Sequence, residues 1–148
     1  MMGLQGIALE VALDVKAKFP EVKFTSGKRT IAEQALAMVA NVKKNPKWIE
    51  QTYAQTRIVV ECQDWVDRHA KADQSAMASA FATIISLFSP EEQRRLSRHL
   101  TGEAFDMEPI VGGNAEKVID VLRDWAQRKA GRFLTSEGGL VIWHWQAK

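Results

Sequence analysis

Apolar residues recur at helical spacing from the start of the chain: Ile7, Val11 and Val15 mark a helix over the first eighteen residues, stopped by Pro20. The strand Val22-Lys23-Phe24-Thr25 follows, and Ser26-Gly27 ends it. Thr30-Ile31-Ala32-Glu33 has the form of a capping box. Behind it Ile31, Ala35, Leu36, Met38, Val39 and Val42 form the buried stripe of a helix ending near Asn45-Pro46. Residues 46–71 read as one further helix carrying Trp48, Tyr53, Ile58, Cys62, Trp65 and Val66, against the local resistance of the β-branched run Ile58-Val59-Val60. Residues 76–88 make another apolar helix. Ser89-Pro90-Glu91-Glu92 opens a short one, with serine as N-cap, proline at the first helical position and glutamate three after the cap.

The period changes after Arg98. Thr101-Gly102 interrupts the helix, and Ala104-Phe105-Asp106-Met107 suits a strand. Helical spacing returns over residues 114–129 through Val118, Val121, Leu122 and Trp125. The chain then predicts two strands, Arg132-Phe133-Leu134-Thr135 and Leu140-Val141-Ile142-Trp143-His144-Trp145, joined by the hairpin loop Ser136-Glu137-Gly138-Gly139. There is no internal repeat, low-complexity tract or linker. The expected class is α+β, a small antiparallel sheet flanked by several helices, in a single domain over residues 1–148.

Composition narrows the setting. A chain of 148 residues, 46% hydrophobic and 26% charged, has enough apolar side chains for a core without disulfide staples. Twenty basic and eighteen acidic residues leave a net charge of +2, which makes no case for nucleic acid and leaves room for mild attraction to anionic wall polymers. The single cysteine, Cys62, cannot form an internal disulfide, and in the run Arg57-Ile58-Val59-Val60-Glu61-Cys62 it reads as a buried structural thiol. The opening residues lack the basic head and apolar stretch of a secretory signal, and no segment reaches the roughly 18 apolar residues that span a bilayer. The expectation is synthesis in the cytoplasm, without membrane insertion, as a monomer.

The chemistry gathers in Ser97-Arg98-His99-Leu100-Thr101-Gly102-Glu103-Ala104-Phe105-Asp106. A helix end presents His99, Gly102 permits a sharp reversal, and the chain returns as a strand with Ala104 and Asp106 on one face and Phe105 on the other. By the same parity Glu103 points away from Asp106. In the last strand Leu140, Ile142 and His144 alternate with Val141, Trp143 and Trp145, so His144 projects from one face. Two imidazoles and a carboxylate suit zinc, and three protein ligands leave a fourth tetrahedral position open, the mark of a catalytic site. The third histidine, His69, sits on a helix face that solvation explains.

The pattern Ser-x-His-x-x-Gly-x-Ala-x-Asp of residues 97–106, followed by Trp143-His144, resembles the D-alanyl-D-alanine carboxypeptidase and dipeptidase family. That family includes bacteriophage peptidoglycan endopeptidases and shares its metal site with the hedgehog signalling domain. Thr25-Ser26-Gly27-Lys28-Arg29-Thr30 is similar to the family's Ser-Gly-x-Arg-Ser/Thr segment, whose arginine contacts substrate or the developing oxyanion. The resemblance spans residues 25–145 and implies a zinc peptidase with His99, Asp106 and His144 as ligands. It sets Arg29 toward a peptidoglycan peptide, and Ser97 and Trp143 are the further substrate-binding candidates beside the ligands; strand core is an equal alternative for Trp143 and Trp145. A phage lysis enzyme acting on the cell wall after release fits this pattern, with endopeptidase and carboxypeptidase action both open.

Family members carry a carboxylate three residues before the last histidine ligand, where this chain has Val141. Glu137, seven residues before His144, is the replacement expected to act as general base, with Arg29 stabilising an oxyanion or a substrate carboxylate. The alternative is a zinc-containing wall-binding or interaction module that has lost its chemistry.

Overall fold

The regular elements run, in chain order, α1 (Gly6–Lys18), β1 (Phe24–Ser26), α2 (Ile31–Val42), α3 (Trp48–Thr52), α4 (Arg57–Arg68), α5 (Gln74–Ser86), α6 (Pro90–Leu96), a 3₁₀ turn (Arg98–Thr101), β2 (Ala104–Met107), α7 (Ala115–Arg128), β3 (Arg132–Leu134) and β4 (Trp143–Gln146). This is the α+β class that the periodicities predict. The computed structural model describes residues 1–148. Its contacts divide into two units, residues 1–28 with 101–148, and residues 29–100. Each has its own apolar core. No helix is long and apolar enough to cross a membrane.

The first unit is built on a four-stranded antiparallel sheet in the order β1-β2-β4-β3. Alternation sends Phe105, Met107, Trp143 and Trp145 to one face, where they join Ala8, Val11, Ala12 and Val15 of α1 and Val118 and Leu122 of α7 in the core. Trp145 stacks on Phe105 with ring centroids 6.0 Å apart, and Phe24 meets Phe105 edge-on at 5.2 Å. Burying an indole strands a donor unless a partner is near; the Trp145 Nε1–H donates to the Leu122 carbonyl at 3.2 Å. Between the helices, the Trp125 Nε1–H donates to Asp14 Oδ2 at 2.8 Å.

The second unit is helical, and its starts follow their caps. Thr30 and Ser89 form the two predicted capping boxes, and Thr56 and Asp73 cap α4 and α5 through single side-chain bonds. Met38, Ile49, Ile58, Phe81 and Ile85 are fully buried in its core. Cys62 is also fully buried, as its apolar run implied. His69 is exposed at the end of α4, its ring stacked on Trp65 at 4.2 Å.

The strand expected over residues 22–25 is observed as Phe24–Ser26, with Ser26 paired to Asp106, and two further elements differ from expectation. The single helix read over residues 46–71 is two, α3 and α4, because the chain turns extended at Tyr53 and the Thr56 side chain accepts from the Val59 N–H to start again. The last strand begins at Trp143 rather than Leu140, and β3 ends at Leu134 opposite His144. The connection is therefore residues 135–142. At its tip Glu137 and Leu140 exchange two backbone hydrogen bonds of 2.9 Å around Gly138 and Gly139, whose φ values of 57° and 81° are those of a primed hairpin turn.

The Trp125 hydrogen bond, then Lys18, hold the Asp14 carboxyl below its usual range. A depressed native pKa means stability that is present above the unfolded carboxylate value and lost as pH falls through the native one. Asp14→Ala is expected to cost about 1 kcal/mol at neutral pH, with the gap to the parent closing toward about pH 3, as measured by urea unfolding at several pH values. Burial, with the Glu61 charge second, pushes the Cys62 thiol up to about 12. Native protein should resist iodoacetamide at about pH 8 while the urea-unfolded chain is labelled, read by mass spectrometry.

Candidate metal centre

The site starts where α6 stops. At Ser97 the backbone turns extended, with φ −155°, and the Leu100 N–H donates to the Ser97 carbonyl at 3.1 Å, closing the turn. Ser97 Oγ accepts from the His99 N–H at 3.3 Å, so the serine expected at the substrate shapes the turn that presents His99. The His99 carbonyl in turn accepts from the Arg29 N–H at 2.9 Å. His99 itself is buried.

Gly102 then reverses the chain at φ +75°. Its carbonyl accepts from the Gln5 N–H at 2.9 Å, and a Cβ there would stand 2.5 Å from the Gly3 carbonyl oxygen, so any side chain meets both strain and backbone. β2 follows directly with Ala104 and Asp106 on the face opposite Phe105, as predicted, and the register sets Asp106 across from His144.

Asp106 and His144 are both buried, and buried ionisable groups persist only when partnered. His144 Nδ1 lies 2.8 Å from Asp106 Oδ1, and its Nε2 lies 2.9 Å from Gln146 Oε1. Burial is the largest single influence on His144 and opposes its cation, but Asp106, Glu137 and Gln146 together outweigh it and raise the pKa above the ordinary histidine value. His99, Asp106 and His144 each offer one ligand atom, and these atoms all lie within 4.8 Å of one another. Ligands of a tetrahedral ion at zinc-like bond lengths stand about 3.4 Å apart, within that span. The trio can therefore hold a metal ion, and two imidazoles with one carboxylate are a donor set suited to a borderline divalent cation.

The other expected residues fall in different places. Glu137 is half-buried on the two-glycine turn, and its negative charge acts on His144. Val141, three residues before His144, is 75% exposed. Arg29 is half-buried, and its guanidinium donates to Gln34 Oε1 at 3.2 Å, so the α2 amide is one of the groups that hold it. Trp143 needs correction as a substrate contact: it is buried on the core face with its ring edge-on to Phe133 at 6.2 Å, because strand parity turns it away from the His144 face. Of the nearby carboxylates, Glu103 accepts from the Thr101 hydroxyl and exposed Glu108 pairs with Lys23 at 3.7 Å.

Two polar residues escaped the sequence reading. Gln34 is fully buried in the apolar stripe of α2, where its Nε2 donates to the Tyr53 hydroxyl at 3.2 Å. Gln146 stands two residues past His144, on the same strand face. A polar residue at a core position and a parity match were the available signals. Compared with models of protein families, with curated proteins and with solved structures, the chain matches none.

In metal-free protein a raised native histidine pKa means stability that is fully present below the unfolded value of about 6.5 and lost as pH rises through the native one. The melting temperature in chelator is expected to fall as pH rises from about 6 to about 9, and Asp106→Asn to flatten that profile; differential scanning calorimetry checks both.

Proposed function

We propose that this chain is a zinc-dependent peptidase that hydrolyses a peptide bond of bacterial peptidoglycan, in a stem peptide or cross-bridge. The observation that carries the reading is the buried gathering of His99, Asp106 and His144 with the Glu137 carboxylate near enough to act on His144. The substrate class is supported by the resemblance of residues 97–106 and Trp143-His144 to the D-alanyl-D-alanine carboxypeptidase and dipeptidase family. The same resemblance supports a phage lysis enzyme that works on the wall after release.

His99, Asp106 and His144 would hold a zinc ion, which when bound would supply Lewis acidity toward a water and a scissile carbonyl. Glu137 takes a proton from the attacking water and delivers it to the leaving amine. Its turn sets it on the connection that leads straight into β4, so the chain that carries the base also carries a ligand. Arg29, anchored at Gln34, stabilises the oxyanion or receives a substrate carboxylate. The hydrogen bond from its N–H to the His99 carbonyl ties that arginine to a ligand residue through the backbone.

Purified murein incubated with zinc-loaded protein is expected to release muropeptides in a chelator-sensitive manner, and fragment masses distinguish an endopeptidase cut from loss of a terminal D-alanine. Glu137→Gln is expected to lower that rate by about 10²–10⁴-fold with metal content unchanged. Bound zinc with no release from any murein would instead establish a binding module.

A further inference from the structure

A neutral imidazole has one proton for two nitrogens. A nitrogen that binds a metal must be bare, so the proton sits on the other and needs an acceptor there. In His144 the two nitrogens face different partners. Nδ1 meets Asp106 Oδ1 at 2.8 Å, and Asp106 belongs to the donor group itself. Nε2 meets Gln146 Oε1 at 2.9 Å, and Gln146 does not.

We infer that Gln146 is a positioning residue for the metal centre, its side-chain oxygen holding the His144 proton on Nε2 and leaving Nδ1 as the ligating atom. The inference rests on the reading of His99, Asp106 and His144 as a metal site. With the Gln146 oxygen facing Nε2, the opposite tautomer would set two lone pairs against each other without a proton between them, and only a flip of the amide would relieve it. The fold supplies the space for this contact. Gln146 is paired across the sheet with Ala104, a fully buried residue with no side chain beyond Cβ, so the amide can turn back along its own strand toward the imidazole. A longer residue at 104 would fill that room. Ala104 thus serves the site through Gln146, two positions from Asp106 on the same strand face.

Glutamate at 146 keeps an acceptor that cannot become a donor, whereas leucine keeps much of the bulk and removes the acceptor. Zinc affinity measured by competition with a chromophoric chelator at fixed pH is expected to fall about 10–100-fold in Gln146→Leu and to stay within about threefold of the parent, or tighten, in Gln146→Glu. Long-range proton–nitrogen correlation spectra of the zinc-loaded wild type should show His144 protonated at Nε2, a readout that needs no variant to fold. Parent-like affinity in Gln146→Leu, an equal loss in both variants, or a proton on Nδ1 would overturn the role of Gln146. Failure of the wild type to take up zinc would overturn the metal reading itself, a result separate from a loaded wild type indifferent to position 146.

Discussion

The contact between His144 and Asp106, 2.8 Å across the centre of the sheet and with side chains 4% and 9% exposed, constrains everything around it. Two ionisable groups so far from solvent are tolerable only facing each other, with their remaining lone pairs and protons also matched. That requirement sets the register of β2 against β4. A slip of β4 by one residue would carry His144 away from Asp106 into the apolar core and turn Trp143 and Trp145 to the other face. The aromatic packing on α1 and α7 and the polar site are thus two sides of one alignment.

The helical residues 29–100 are an excursion from this sheet, leaving after β1 and returning before β2. Their two ends are held together within the unit by the hydrogen bond from the Arg29 N–H to the His99 carbonyl. The entropic cost of closing a segment of chain grows only slowly with its length. One consequence is chemical. Arg29 and His99, seventy positions apart in the chain, become backbone neighbours at the two ends of the excursion.

Glu137 obtains its place from local geometry. The Gly138-Gly139 turn is a short-range device legible in any chain, but its tip is set back from β3 and β4 by irregular residues on both sides. The carboxylate therefore belongs to a loop whose course the strands do not dictate, unlike the three donors. Its influence on His144 is electrostatic and reaches through space, where the ligand residues are held by register and turn geometry.

What the sequence by itself determined were features whose causes lie within a few residues. The capping boxes at Thr30 and Ser89, the reversal at Gly102 and the alternation through Ala104, Phe105 and Asp106 each follow from side-chain size and hydrogen-bonding over one turn or one strand. His99, Asp106 and His144 were legible as a donor set for the same reason, since turn and parity aim them. The break between α3 and α4 runs against a helical periodicity that continues through it, because the chain turns extended at Tyr53 and the Thr56 side chain caps a new start. Only the tertiary structure decided that Trp143 faces the core, that Gln34 holds Arg29, and that Gln146 Oε1 meets His144 Nε2. Those outcomes depend on which residues from distant parts of the chain share a small volume, and spacing along one strand or helix does not carry that information.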